Sequence, residues 1–304
     1  MKKIAISIGD INGIGIELAL KNHHNISKIC KPIYCIDKNI LKKAALKLNL
    51  PIPKNFKIEG KYNKTKITPG IAKKDSGLFS YLSFLNAIHL AKSKKVNAIC
   101  TLPINKSAWS KAGIEYVGHT DMLRDIFKKD AIMMLGCEKM YVALYTEHVP
   151  LKKVPKLLKV KKLTSFLIDF VNAIKPYNEP IAILGLNPHA GDNGVLGKEE
   201  EIIKKAIKKA SKELNTQFDL LVPDIAFTPN IRKKYKYFIA MYHDQGLAPL
   251  KALYFKESIN ISLNLPIIRT SVDHGTAFDI AYKKNNISNI SYINAIKAAI
   301  NLSN

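Results

Sequence analysis

Short apolar runs that stop at polar clusters constrain this chain most. They are KIAISIG (Lys3–Gly9), KPIYCID (Lys31–Asp37), VNAICTLPINK (Val96–Lys106), MYVALYTEHVPL (Met140–Leu151), PIAILGLNPHAGDNG (Pro180–Gly194), FIAMYHDQGLAPLK (Phe238–Lys251) and LNLPIIRTS (Leu263–Ser271). Each opens with residues suited to a buried strand. Helical patterns lie between or after them, at Ile16–Lys21, Lys38–Leu48, Leu78–Lys92, Met122–Phe127, from about Leu163, through KEEEIIKKAIKKASKEL, at Ala277–Tyr282 and at Tyr292–Leu302. That alternation predicts an α/β fold with a largely parallel sheet. Ligands of such sheets bind outside the carboxyl ends of the strands. The polar residues that end the apolar runs are therefore the candidate site residues.

The chain has 304 residues, enough for one large or two ordinary domains, and its 47% hydrophobic content is that of a globular protein. No stretch is long and apolar enough to span a bilayer. MKKIAISIGD reads as a strand and not a signal peptide, which makes the cytoplasm the expected location. Lys and Arg outnumber Asp and Glu 48 to 24, a formal charge of +24. Such a charge could suit a nucleic-acid partner, but the chain has no basic motif interleaved with aromatics and no low-complexity basic tail. The lysines are spread along the chain and read as solvated faces. Cys30, Cys35, Cys100 and Cys137 have no metal-ligand or redox spacing and read as small core residues.

Three apolar runs, VALYT, IAILGL and FIAMY, each deliver a histidine shortly after their carboxyl ends: His148, His189 and His243. Imidazoles at three strand ends of one sheet edge can converge on one divalent metal, leaving positions open for substrate. The alternative is three unrelated loop histidines. FIAMY ends at His243-Asp244-Gln245-Gly246, Pro249 is expected to break the chain, and Lys251 follows as a cation. Arg269, read as ending the strand Leu263–Ser271, could clamp a phosphate or carboxylate together with Lys251. Gly118-His119-Thr120-Asp121 precedes a helix, where Thr120 or Asp121 either caps or helps form an anion site. Ser76 is expected to cap the helix from Leu78. The turn GDINGIG is not the dinucleotide fingerprint, and His274-Gly275-Thr276 either holds an adenosine moiety or caps the helix that contains Asp279.

GDINGIGIE, GHTDML, LYTEHVPL, GLNPHAGDNG, MYHDQGLAPLK and LPIIRTSVDHGTAFDIA together resemble the 4-hydroxythreonine-4-phosphate dehydrogenase (PdxA) family of pyridoxal phosphate synthesis. They run from Gly9 to Ala281 in the family's order. The resemblance implies a two-domain α/β/α fold with largely parallel sheets, similar to isocitrate and isopropylmalate dehydrogenases. The first domain would comprise residues 1–130 plus 265–304 and the second 131–264. The active site would lie in their cleft, at the subunit interface of a homodimer.

Residue by residue, the resemblance implies metal ligands His148, His189 and His243, one of them donated across the dimer. It implies substrate contacts at His119, Thr120, Lys251, Asn260 and Arg269, with Asp224 and Lys251 in catalytic roles. His274, Gly275 and Asp279 would bind NAD or NADP. The metal would be one zinc, magnesium or cobalt ion per subunit. The next enzyme of pyridoxine 5'-phosphate synthesis is a further implied partner; nucleic acid and membrane are not. The chain is shorter than typical members, through trimmed helices and loops. It has Ile11-Asn12 and Ile16 where Pro-Ala and Pro are usual, and every ligand and substrate position is filled. The implied activity is NAD-dependent oxidation of 4-phosphooxy-L-threonine. A sister dehydrogenase of another phosphorylated hydroxy acid, such as erythronate 4-phosphate, is the nearer alternative, and a nucleic-acid-binding protein the remote one.

Overall fold

A computed structural model describes residues 1–60, 62, 65–176, 179–283 and 286–303. The chain divides into two compact units. The first holds Met1–Lys129, Ile259–Ile261 and Leu265–Asn304; the second holds Asp130–Ser258 and Ser262–Asn264.

In the first unit, β1 (Lys3–Ser7), α1 (Gly15–Ser27), β2 (Lys31–Cys35), α2 (Lys38–Leu48), β3 (Ile58–Glu59), α3 (Lys74–Lys92), β4 (Ala98–Thr101), α4 (Lys106–Lys111) and α5 (His119–Phe127) follow in order. The second unit continues with β5 (Ile132–Cys137), β6 (Met140–Leu144), α6 (Val154–Leu157), α7 (Val160–Ile174), β7 (Ile181–Leu184), α8 (Glu199–Leu214), β8 (Phe218–Leu221), α9 (Pro229–Lys234), β9 (Tyr237–Ala240) and α10 (His243–Tyr254). Then come β10 (Ile259–Leu263), β11 (Arg269–Val272) and α11 (Ile290–Leu302).

The first unit's strands lie in the order β3-β2-β1-β4-β11, all parallel. Ile6 pairs with Tyr34 on one side and Cys100 on the other, and Arg269 pairs with Ile99. Strands buried on both faces need continuous apolar runs, and β1, β2 and β4 have them. Phe84 and Ile88 of α3 pack with Ala5, Ile33 and Ile99 beneath Trp109. The chain reverses direction of strand addition between β1 and β4, so the loops after these strands flank a topological switch point. Gly9 makes the tight exit from β1: its φ is +70°, and a side chain would strike the Pro103 carbonyl.

The second unit's order is β5-β6-β9-β7-β8, with only the β5–β6 pair antiparallel. The carboxyl ends of β6, β9 and β7 therefore lie side by side and point the same way. Leu144, Leu184, Phe238 and Leu247 share its core. No helix among the described residues is long and apolar enough to cross a membrane.

Several local expectations change. Ser76 is not the N-cap of α3, which begins two residues earlier; its Oγ accepts instead from the N–H of the N-cap residue Lys73 at 3.4 Å. Ser76 lies in the first turn and donates to Asp10 Oδ2 at 3.0 Å. Pro249 does not break the chain; it is carried inside α10, so His243 and Lys251 share one helix. Arg269 starts β11 and does not end a strand, and Asn260 lies within β10. Residues 277–282 form turns, not a helix. Ile14 N donates to Thr276 O (3.1 Å) and Tyr282 Oη to Ile11 O (2.8 Å), so contacts distant in sequence hold this backbone. The helix expected from Met122 starts at His119, with Gly118 as its cap, and Asp121 accepts from Val117 N.

Candidate active site

In the first unit the site is built around Arg269. Its residue is 2% exposed, and its Nε and Nη2 both donate to Thr101 Oγ1, at 3.1 and 2.7 Å. Thr101 ends β4, and its hydroxyl donates to Thr270 O at 3.5 Å, so its lone pairs face the guanidinium. Arg269 Nη2 also lies 3.1 Å from His119 Nδ1. Burial pushes the guanidinium down to about 10. Burial first, and the nearby Arg269 second, hold the His119 imidazole well below the usual histidine range, so it is neutral at pH 7.

The geometry then selects the tautomer. His119 Nδ1 accepts from Arg269, so the ring proton sits on Nε2. That Nε2 is buried and has no hydrogen-bond partner among the described residues. Phe84 and Trp109 meet the ring edge-on at 4.6 and 5.8 Å and fix its plane. A buried guanidinium beside an unsatisfied imidazole N–H suits an acceptor-rich anion such as phosphate or carboxylate. Thr120 is buried beside His119 in the first turn of α5. Asn260 Oδ1 is likewise buried without a hydrogen-bond partner among the described residues.

The segment implied for the nicotinamide cofactor follows β11. His274 Nδ1 lies 3.1 Å from Gly275 O, and its buried Nε2 has no partner among the described residues. Gly275 and Asp279 are exposed on the same turns. An orphaned ring nitrogen beside exposed backbone fits a polar ligand there. These turns pack on the loop after β1, where Asp10 is wholly buried.

In the sequence Asp10 is only one residue of the turn GDINGIG. Its carboxylate accepts from Asn12 N (2.9 Å) and Ser76 Oγ (3.0 Å). Burial outweighs both bonds and pushes its pKa up to about 6. A carboxyl with a raised folded pKa stabilises fully below its unfolded value, near 3.8, and loses that contribution as pH rises through 6. Asp10→Asn keeps the acceptor for Asn12 N and removes the charge. We expect it to be more stable than wild type at pH 8, by at most about 3 kcal/mol, and equal to it at pH 4. Urea unfolding at the two pH values checks this; equal stability at pH 8 refutes it.

In the second unit, His148, His189 and His243 follow β6, β7 and β9, which are neighbouring parallel strands. The rings of His148 and His243 lie 5.5 Å apart, tilted by 42°. His243 Nδ1 is 3.0 Å from Asp244 Oδ1, which leaves Nε2 for a ligand, the usual outer-shell arrangement of a metal-binding histidine. This donor pair fits a divalent ion. His189 is not beside them: among the described residues of one chain, no three His, Cys, Asp or Glu side chains are grouped to hold a metal. His189 is exposed on a turn after β7. Lys251 is half-buried on α10, its Nζ 5.5 Å from the Phe255 ring, and Asp224 is exposed on the turn after β8.

Thr101 was visible only as a polar strand end, without its role as the anchor of Arg269. Glu200, the second of three successive acids in KEEEIIKK, is 3% exposed.

Residues 28–299 match the model of the family described as pyridoxal phosphate biosynthetic protein PdxA. The chain is 61% identical over 302 residues to a 4-hydroxythreonine-4-phosphate dehydrogenase of Sulfurimonas denitrificans, covering 99% of this chain and 97% of that one. It is 54% identical over 305 residues to the enzyme of the same name in Campylobacter fetus, covering 99% and 98%. The crystal structure of 4-hydroxythreonine-4-phosphate dehydrogenase from Klebsiella pneumoniae superposes with a TM-score of 0.83 at 29% identity, covering 99% of this chain and 98% of that one. The chain belongs to the pyridoxal phosphate biosynthetic PdxA family.

Proposed function

We propose that this protein is an oxidoreductase that converts 4-phosphooxy-L-threonine to 2-amino-3-oxo-4-phosphooxybutanoate in pyridoxal 5'-phosphate synthesis, using NAD or NADP. The observation that carries the reading is the buried Arg269–His119 pair with its unsatisfied N–H, since a phosphorylated amino acid supplies two anionic groups for such donors. Thr101 aims the guanidinium, Thr120 and Asn260 add polar contacts from α5 and β10, and Lys251 supplies a second cation. Fixing both ends of the substrate orients C3 for reaction, and that positioning is where the protein lowers the barrier.

His148, His189 and His243 would hold a zinc, magnesium or cobalt ion, one imidazole coming from a second copy of the chain in a homodimer. When bound, that ion lowers the pKa of the substrate hydroxyl. His274, Gly275 and Asp279 would hold the nicotinamide cofactor, which would supply the hydride acceptor for C3. The hydroxyl loses its proton in the same oxidation, with Asp224 and Lys251 as the acid–base groups. The β-keto acid so formed loses carbon dioxide to give 3-amino-2-oxopropyl phosphate.

The test is NADH formation by the purified protein with a divalent metal, NAD and either 4-phosphooxy-L-threonine or erythronate 4-phosphate. We expect turnover on the first substrate and little on the second. The reverse preference would reassign the protein to the sister activity.

A further inference from the structure

The turn that carries His189 has an unusual backbone. His189, Ala190, Gly191, Asp192 and Asn193 all have positive φ, at 52°, 51°, 80°, 41° and 54°. Five successive residues in the left-handed region make a left-handed turn, which L residues adopt only when the surroundings hold them there. The holding group is the carboxylate of Glu200, in the first turn of α8. Oε1 accepts from Leu186 N (2.9 Å) and Asn187 N (2.8 Å), and Oε2 accepts from Asn187 Nδ2 (2.9 Å). These are the last two residues before the 3-10 segment begins at Pro188. Oε2 also lies under Gly191, where an added Cβ would come within 2.5 Å of it. Glu200 therefore grips the entry to the turn and fills the space beneath its middle. Glu199 Oε2 shares Asn187 Nδ2 at 2.8 Å, but Glu199 reaches neither backbone N–H of the entry.

We propose that Glu200 is the positioning residue of His189: its buried carboxylate sets the left-handed turn and so aims the imidazole at the divalent ion. The assignment rests on the reading of His189 as a metal ligand. Outer-sphere groups that orient a ligand typically change metal affinity by about 10–100-fold when removed. A role confined to docking α8 would alter stability and leave metal affinity alone.

The experiment measures Zn2+ affinity by competition with a chromophoric chelator, and amide hydrogen exchange over residues 186–194. It uses full-length wild type, Glu200→Ala, Glu200→Gln and His189→Ala. We expect Glu200→Ala to weaken Zn2+ binding about 10–100-fold and to speed exchange at Asn187 and Ala190. Glu200→Gln keeps one acceptor for the two backbone donors but opposes an amide to Asn187 Nδ2, so it should fall between. Zn2+ affinity within twofold of wild type in folded Glu200→Ala overturns the proposal. If that variant does not fold, the same result in Glu200→Gln does so. Loss of Zn2+ in His189→Ala alone removes the positioning role and leaves the metal reading standing. Undiminished Zn2+ binding in His189→Ala removes the metal reading; exchange over 186–194 then decides whether Glu200 sets the turn.

Discussion

Arg269→Met should lower kcat/KM for 4-phosphooxy-L-threonine by about 10²–10³-fold without lowering the melting temperature. The activity term follows from losing a buried charge-assisted contact to an anion, worth about 3–4 kcal/mol. The stability term has the opposite sign. Arg269 is a cation whose folded pKa is held near 10, below its ordinary 12.5, because burial disfavours the charged form. At neutral pH, below both values, the folded state carries the full cost, which eases only as pH climbs from 10 towards 12.5. Methionine fills similar space without charge and relieves up to about 3 kcal/mol. Against this stands the loss of donors to Thr101 Oγ1 and His119 Nδ1, each about 1 kcal/mol. Arg269→Lys should recover only part of the activity, since a point charge cannot span the two contacts the fork makes. Steady-state kinetics with a thermal melt decide the matter. A variant that melts earlier and turns over normally would mean that Arg269 is structural and binds no anion.

His189→Ala should reduce NADH formation by about 10³-fold or more, because a lost ligand takes several kcal/mol of electrostatic stabilisation from the reacting hydroxyl. The fold should barely change: His189 is exposed on its turn, and surface replacements of this kind move stability by about 0.5 kcal/mol. Its φ is +52°, a region alanine tolerates somewhat less well than histidine, so the backbone adds only a small cost. His243→Ala should give the same loss. NADH formation within tenfold of wild type in His189→Ala would end the assignment of this residue to a metal.

Much of the architecture could be read without coordinates because buried parallel strands must be apolar throughout. KIAIS, MYVAL and FIA therefore declare themselves wherever they pair. The helical pattern also located α2 at Lys38–Leu48, and local contacts hold its ends: Asp37 accepts from Asn39 N and Ile40 N, and Asn49 adopts the left-handed conformation. Candidate site residues were visible for the same reason: a polar residue after an apolar run marks a strand's carboxyl end.

Tertiary structure alone decided the rest, where the determining partner lies far along the chain. Residues 277–282 have a helical pattern yet form turns, because Ile11 and Ile14 bond to that segment from the opposite end of the sequence. Arg269 reads as a charge at a strand end, but Thr101 and His119, over 100 positions away, hold it as a buried guanidinium beside an imidazole. Nothing in the run Glu199-Glu200-Glu201 singles out Glu200 until the left-handed turn folds onto it. Periodicity records which face of an element is buried, and it carries no information about which distant group that face will meet.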